Sequence, residues 1–79
     1  MKLPRDIAGR DLVRALMRHW GYMQVNQVGS HIILQTEHPV HHRLSVPDHD
    51  SLRIGTLNAI LRSVAEAKQV RREDIISSL

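Results

Sequence analysis

His31 follows Gly29-Ser30 and leads into Ile32-Ile33-Leu34, so a tight turn delivers one imidazole onto the start of an apolar strand. Imidazole exchanges its proton near neutral pH, which lets it take a proton from a hydroxyl or return one to a leaving oxygen. A histidine set just after a glycine turn is exposed enough to meet a substrate. A second imidazole, His49, closes the segment Val46-Pro47-Asp48-His49, and Gly55-Thr56-Leu57 opens a later apolar stretch. His49 is a candidate second acid–base or phosphate-contacting group. Gly55 and Thr56, with Arg53 beside them, can present free backbone N–H groups and a hydroxyl to a phosphate at a helix N-terminus. Each of these also has a plainer reading: a surface histidine at 31, a locally bonded loop histidine at 49, an ordinary helix cap at 55–56. His38, His41 and His42 form a cluster, but a Pro-containing loop without Cys offers no recurring zinc-ligand spacing. That cluster is expected to be a solvent-exposed loop, with no metal site.

The elements that position these residues are legible from periodicity. Val13, Leu16, Met17 and Trp20 fall at i, i+3, i+4 and i+7, widened by Leu12 and stopped by Gly21, which predicts an amphipathic helix over 9–20. Arg10, Arg14 and Arg18 repeat every four residues along its flank. Residues 22–28 and 31–35 read as a hairpin around Gly29-Ser30. Thr36 to His42 is a loop through Pro39, and 42–46 is a third strand with Leu44 and Val46 inward, ended by Pro47. Leu57, Ile60, Leu61 and Val64 repeat the helical spacing, giving a second helix from about Gly55 to Lys68. Ile75, Ile76 and Leu79 suit a short third helix. The order α-β-β-β-α predicts an α+β fold in which helices cover one face of a three-stranded antiparallel sheet and leave the other open.

The 79 residues fit a single domain, 1–79, whose core must come from nine Leu, seven Ile and seven Val, since Phe is absent and Trp and Tyr occur once each. So few aromatic rings argue against the nucleic-acid readers that stack bases on several aromatic platforms. Without Cys there is neither a disulfide framework nor a thiolate nucleophile, and with no apolar run long enough for a signal or membrane segment the expectation is a soluble cytoplasmic protein. The formal charge of +3 is uneven: residues 1–20 hold Lys2, Arg5, Arg10, Arg14 and Arg18 against Asp6 and Asp11, while the remainder nets zero. Such an excess attracts polyanions, although a solvated helix face has the same composition.

The basic helix, Gly29-Ser30-His31, Val46-Pro47-Asp48-His49 and Gly55-Thr56-Leu57, in this order and spacing, resemble the HicA (YcfA-like) toxin family. The likeness runs from about Lys2 to the final helix. It implies a fold like that of double-stranded-RNA-binding domains and a metal-independent endoribonuclease, an mRNA interferase of a type II toxin–antitoxin system. In that family the histidine of the turn is catalytic, which points to His31 as general acid–base in attack by the ribose 2′-OH. Arg10, Arg14, Arg18, Ser30, Arg53, Gly55 and Thr56 are the corresponding RNA-binding candidates. The resemblance also implies mRNA as substrate, a cognate HicB-like antitoxin covering the His31 surface, no cofactor and no membrane. Ile32 stands where related chains often carry a second polar residue, which slightly weakens a paired-histidine mechanism. Two other readings share the element order: a non-catalytic double-stranded-RNA-binding module, which needs more basic residues at the second helix than Arg53 and Arg62, and a protein-interaction subunit using the open sheet face.

Overall fold

The computed structural model describes residues 3–4 and 6–79. Its elements run α1 (Gly9–Trp20), β1 (Met23–Val28), β2 (His31–Thr36), β3 (His42–Pro47), α2 (Ile54–Lys68) and α3 (Arg72–Ile76). This is the α-β-β-β-α order read from the periodicity, followed by the short third helix. No helix among the described residues is long and apolar enough to cross a membrane.

Helix α1 buries Leu12, Val13 and Leu16 and ends at Gly21, whose left-handed backbone (φ 71°) returns an N–H to the Leu16 carbonyl. Met17, expected in the buried stripe, is 43% exposed. The buried arc centres on Leu12 and Leu16, and Met17 lies at its margin toward the arginine flank. Half-buried Trp20 tethers the helix end by donating from Nε1 to Ser78 Oγ at 2.8 Å.

The sheet has the order β1-β2-β3 with both pairs antiparallel. A two-residue turn joins β1 to β2, with Gly29 at φ 59° in the first central position, where hairpin twist favours a positive φ. Along β2 the alternation is strict at the core: Ile32, Leu34 and Thr36 are buried, and His31 is exposed. In β3 His42, Leu44 and Val46 turn the same way, and the strand extends through Pro47, which is tolerated as the last residue of an edge strand. Strand β1 is exposed throughout and carries a bulge at Val25, between the pairs Gln24–Leu34 and Asn26–Ile33.

Helix α2 packs Leu57, Ile60, Leu61, Val64 and Ala65 against the covered face, and α3 adds Ile75 and Ile76. Every fully buried large side chain among the described residues is Leu, Ile or Val. Each such side chain contributes about 1.5–3 kcal/mol by leaving water, so aliphatic packing does the work that aromatics do elsewhere. Cross-strand partners share a face, so the uncovered side of the sheet presents three rows: Val28, His31 and Pro47; Asn26, Ile33 and Ser45; Met23, Gln35 and Arg43.

Candidate active site

Three separated stretches of sequence meet at one end of the sheet. The register sets His31 on the central strand between Val28 and Pro47, and the Ser30 carbonyl of the turn accepts the Asp48 N–H at 2.6 Å. The chain following β3 is tied in turn to the approach of α1, with Gly9 N–H donating to the His49 carbonyl at 2.9 Å and Leu52 N–H to the Ile7 carbonyl at 2.8 Å. The approach at Gly9 is so close that a Cβ there would lie 1.8 Å from the Pro47 carbonyl oxygen. Arg10, one residue on, reaches Asp50 at 2.9 Å and Asp48 at 3.5 Å. The hydrogen bond and charge of Asp50, then those of Asp48, raise its already high pKa. His31 therefore stands exposed on a backbone held on both sides.

The other expected site residues fall into distinct surroundings. His49 is exposed and one residue from the Ser30–Asp48 bond. Arg53 is the N-cap of α2 and makes no side-chain capping bond. Ile54 and Gly55 of the first turn are exposed, and Gly55 has open space around it. Thr56 lies inside that turn and does not cap it, so the leading amides are left without a capping side chain. On α1, Arg14 pairs with Asp11 at 3.3 Å, and Arg18 has no ion-pair partner among the described residues. Lys2 and Arg5, which complete the basic excess of the sequence, lie outside the described residues.

The reading of His42 is corrected by the structure. It is the first residue of β3, where the alternation starts the third strand, but it is half-buried and faces the helices instead of lying exposed with His38 and His41. Its Nδ1 is 2.8 Å from the Tyr22 hydroxyl and its Nε2 2.8 Å from Ser63 Oγ. Burial, then the nearby Lys68 charge, lower its pKa. Buried Tyr22 is itself pushed up to about 12. Beside this chain Lys68 Nζ donates to Thr36 Oγ1 at 2.8 Å and to the His38 carbonyl at 2.6 Å, above the Tyr22 ring. The signal was present in the sequence, because His42 continues the inward alternation of Leu44 and Val46. His38 and His41 are exposed as expected, His41 lying 3.0 Å from Glu37. Among the described residues no three His, Cys, Asp or Glu side chains are grouped to hold a metal ion.

The chain is an α+β domain with an open three-stranded antiparallel sheet and an exposed histidine where the glycine turn enters its central strand. The family model described as the HicA toxin of bacterial toxin–antitoxin systems matches residues 9–65, well over half of the chain, from the first residue of α1 into α2. The chain belongs to the HicA toxin family, and its partner in such a system is a cognate antitoxin. No curated protein and no solved structure matches it.

Proposed function

We propose that this toxin is an endoribonuclease that cuts messenger RNA and so blocks translation, with His31 as its general acid–base. The observation that supports this most is the placement of His31: an exposed imidazole on the open face, its backbone pinned between Val28 and Pro47 and its turn bonded to Asp48. In the reaction, His31 takes the proton of a ribose 2′-OH, the 2′-oxygen attacks the adjacent phosphorus, and the 5′-oxygen leaves with a proton. The products are a 2′,3′-cyclic phosphate and a 5′-hydroxyl, and no cofactor enters. His49, one residue from the Asp48 amide that bonds to the His31 turn, is the candidate for the second proton transfer. The uncapped amides at Gly55 and Thr56, with Arg53, Ser30 and Arg18, offer donors for phosphate oxygens. Arg10 and Arg14 contribute less to RNA, because aspartates already hold them. The cognate antitoxin, on this reading, silences the toxin by covering His31.

General acid–base catalysis by one side chain accounts for about 10²–10⁴ in rate. His31→Ala is therefore expected to lose at least about a hundredfold in cleavage and to stop inhibiting growth while remaining folded, as followed by circular dichroism. His49→Ala loses less. Cleavage continues in excess EDTA, and one 2′-deoxy substitution at the cut site blocks it without abolishing binding. Equal toxicity of His31→Ala at matched expression, or cleavage of the deoxy substrate, would sink the assignment. Binding without any cleavage by the wild type returns the chain to the class of non-catalytic RNA binders.

A further inference from the structure

The open sheet face does not end at His31. Moving along β2 and β3 from the His31–Pro47 pair, the same face presents Ile33 with Ser45 and then Gln35 with Arg43. Arg43 alternates with inward His42 and Leu44, is exposed, and has no ion-pair partner among the described residues. No acidic residue occupies the paired positions of this face. The carboxylates just past the ends of this face are engaged elsewhere: Asp48, after β3, by Arg10 at 3.5 Å, and Glu37, after β2, by Gln35 at 2.8 Å and His41 at 3.0 Å. The α1 ridge differs, since Arg10 and Arg14 there are matched by Asp48, Asp50 and Asp11.

We infer that Arg43 anchors a backbone phosphate of single-stranded RNA lying along the open face, away from the bond cut at His31. This rests on the ribonuclease reading of His31. With a strand rise of about 3.3 Å per residue, the Gln35–Arg43 pair lies about 13 Å along the sheet from His31. An arginine at that range meets a neighbouring phosphate rather than the scissile one. Between the two points the surface is Ile33 flanked by Asn26 and Ser45, an aliphatic floor with amide and hydroxyl groups at its sides. No aromatic ring interrupts it, so the contact grips the backbone and leaves base stacking unused. A single strand can lie flat on such a surface. A duplex presents its phosphates on a curved surface, so fewer of them reach a flat sheet.

The test uses Arg43→Gln, which removes the charge from an exposed side chain and leaves the core intact. Binding of a fluorescent single-stranded RNA oligonucleotide is measured by anisotropy in the His31→Ala background, so cleavage does not interfere. Arg43→Gln is expected to weaken binding about fivefold, the upper end for one solvent-exposed ion pair. It should also reduce the slope of log affinity against log salt by about 0.7, the value for one phosphate of a single strand. In the enzyme with His31 intact, the substitution lowers kcat/KM on that oligonucleotide and leaves kcat/KM on a dinucleoside monophosphate unchanged, because the dinucleotide has only the scissile phosphate. Equal affinity and equal slope overturn the proposal. So does absence of RNA binding, equal competition by a duplex of the same sequence, or loss of antitoxin binding with RNA affinity unchanged. If the wild type cleaves nothing while Arg43→Gln still weakens binding, the catalytic reading fails and the subsite stands.

Discussion

A neutral imidazole has one donor and one acceptor, and His42 uses both, one toward Tyr22 and one toward Ser63. Protonation makes both ring nitrogens donors and sets a charge in a half-buried site facing Lys68, with His41 adding repulsion and Glu66 opposing it. The folded-state pKa is consequently below the ordinary value of 6.5. Below about pH 6.5 the unfolded chain binds the proton that the folded chain resists, so stability falls as the pH drops through and below that value. The urea midpoint is expected to decrease between pH 7.5 and pH 5.5, and His42→Asn should remove most of that dependence while costing stability at pH 7.5. An equal pH dependence in both proteins refutes this account. The contrast with His31 shows what single residues disclose. His31 was legible because a glycine turn announces exposure, whereas His42, although the third strand was read as starting there, was grouped as exposed with His38 and His41, and its place on the inward side of Leu44 and Val46 was passed over.

At the scale of elements, the helical periods placed α1 and α2 to within a residue, and the Gly29-Ser30 turn fixed the β1–β2 pairing. These are local signals, written in residues close together in the chain. The packing of α1 onto the end of β3 is not local, since the group that makes Gly9 necessary is the Pro47 carbonyl. Helix propensity alone predicts that Gly9→Ala stabilises the protein by up to about 1 kcal/mol. A Cβ that would sit 1.8 Å from a backbone oxygen reverses the sign. Forced overpacking of this kind costs about 1–3 kcal/mol, because neither helix start nor strand end can move alone. Gly9→Ala is expected to lower the urea midpoint and, by displacing the Pro47–His49 segment from the His31 turn, to reduce RNA cleavage. Gly29→Ala has open space and only the cost of a left-handed backbone, on the order of 1 kcal/mol. A larger loss at Gly29 than at Gly9 contradicts the packing argument.

Over the whole molecule, the net charge of +3 says less than where the charges are committed. The sequence places Arg10, Arg14 and Arg18 on one ridge, and counting them as free predicts three phosphate contacts. Folding brings Asp48 and Asp50 to Arg10 from beyond β3, a pairing invisible to a reading of the helix, and Asp11 takes Arg14. Three aspartates thus engage two of the three arginines, and Arg18 has no ion-pair partner among the described residues. Replacing all three arginines by Gln is therefore expected to reduce the salt slope of single-stranded RNA binding by about 0.7, the value for one phosphate, rather than about 2. The same substitution should lower stability slightly, because Asp48 and Asp50 lose their common cation next to the His31 turn. Arg18→Gln alone should reproduce nearly all of the change in slope and almost none of the change in stability. Measuring the slope from about 50 to 200 mM salt for the single and triple variants separates the outcomes, and a triple-variant change near 2 would show that RNA displaces the aspartates and recruits the whole ridge.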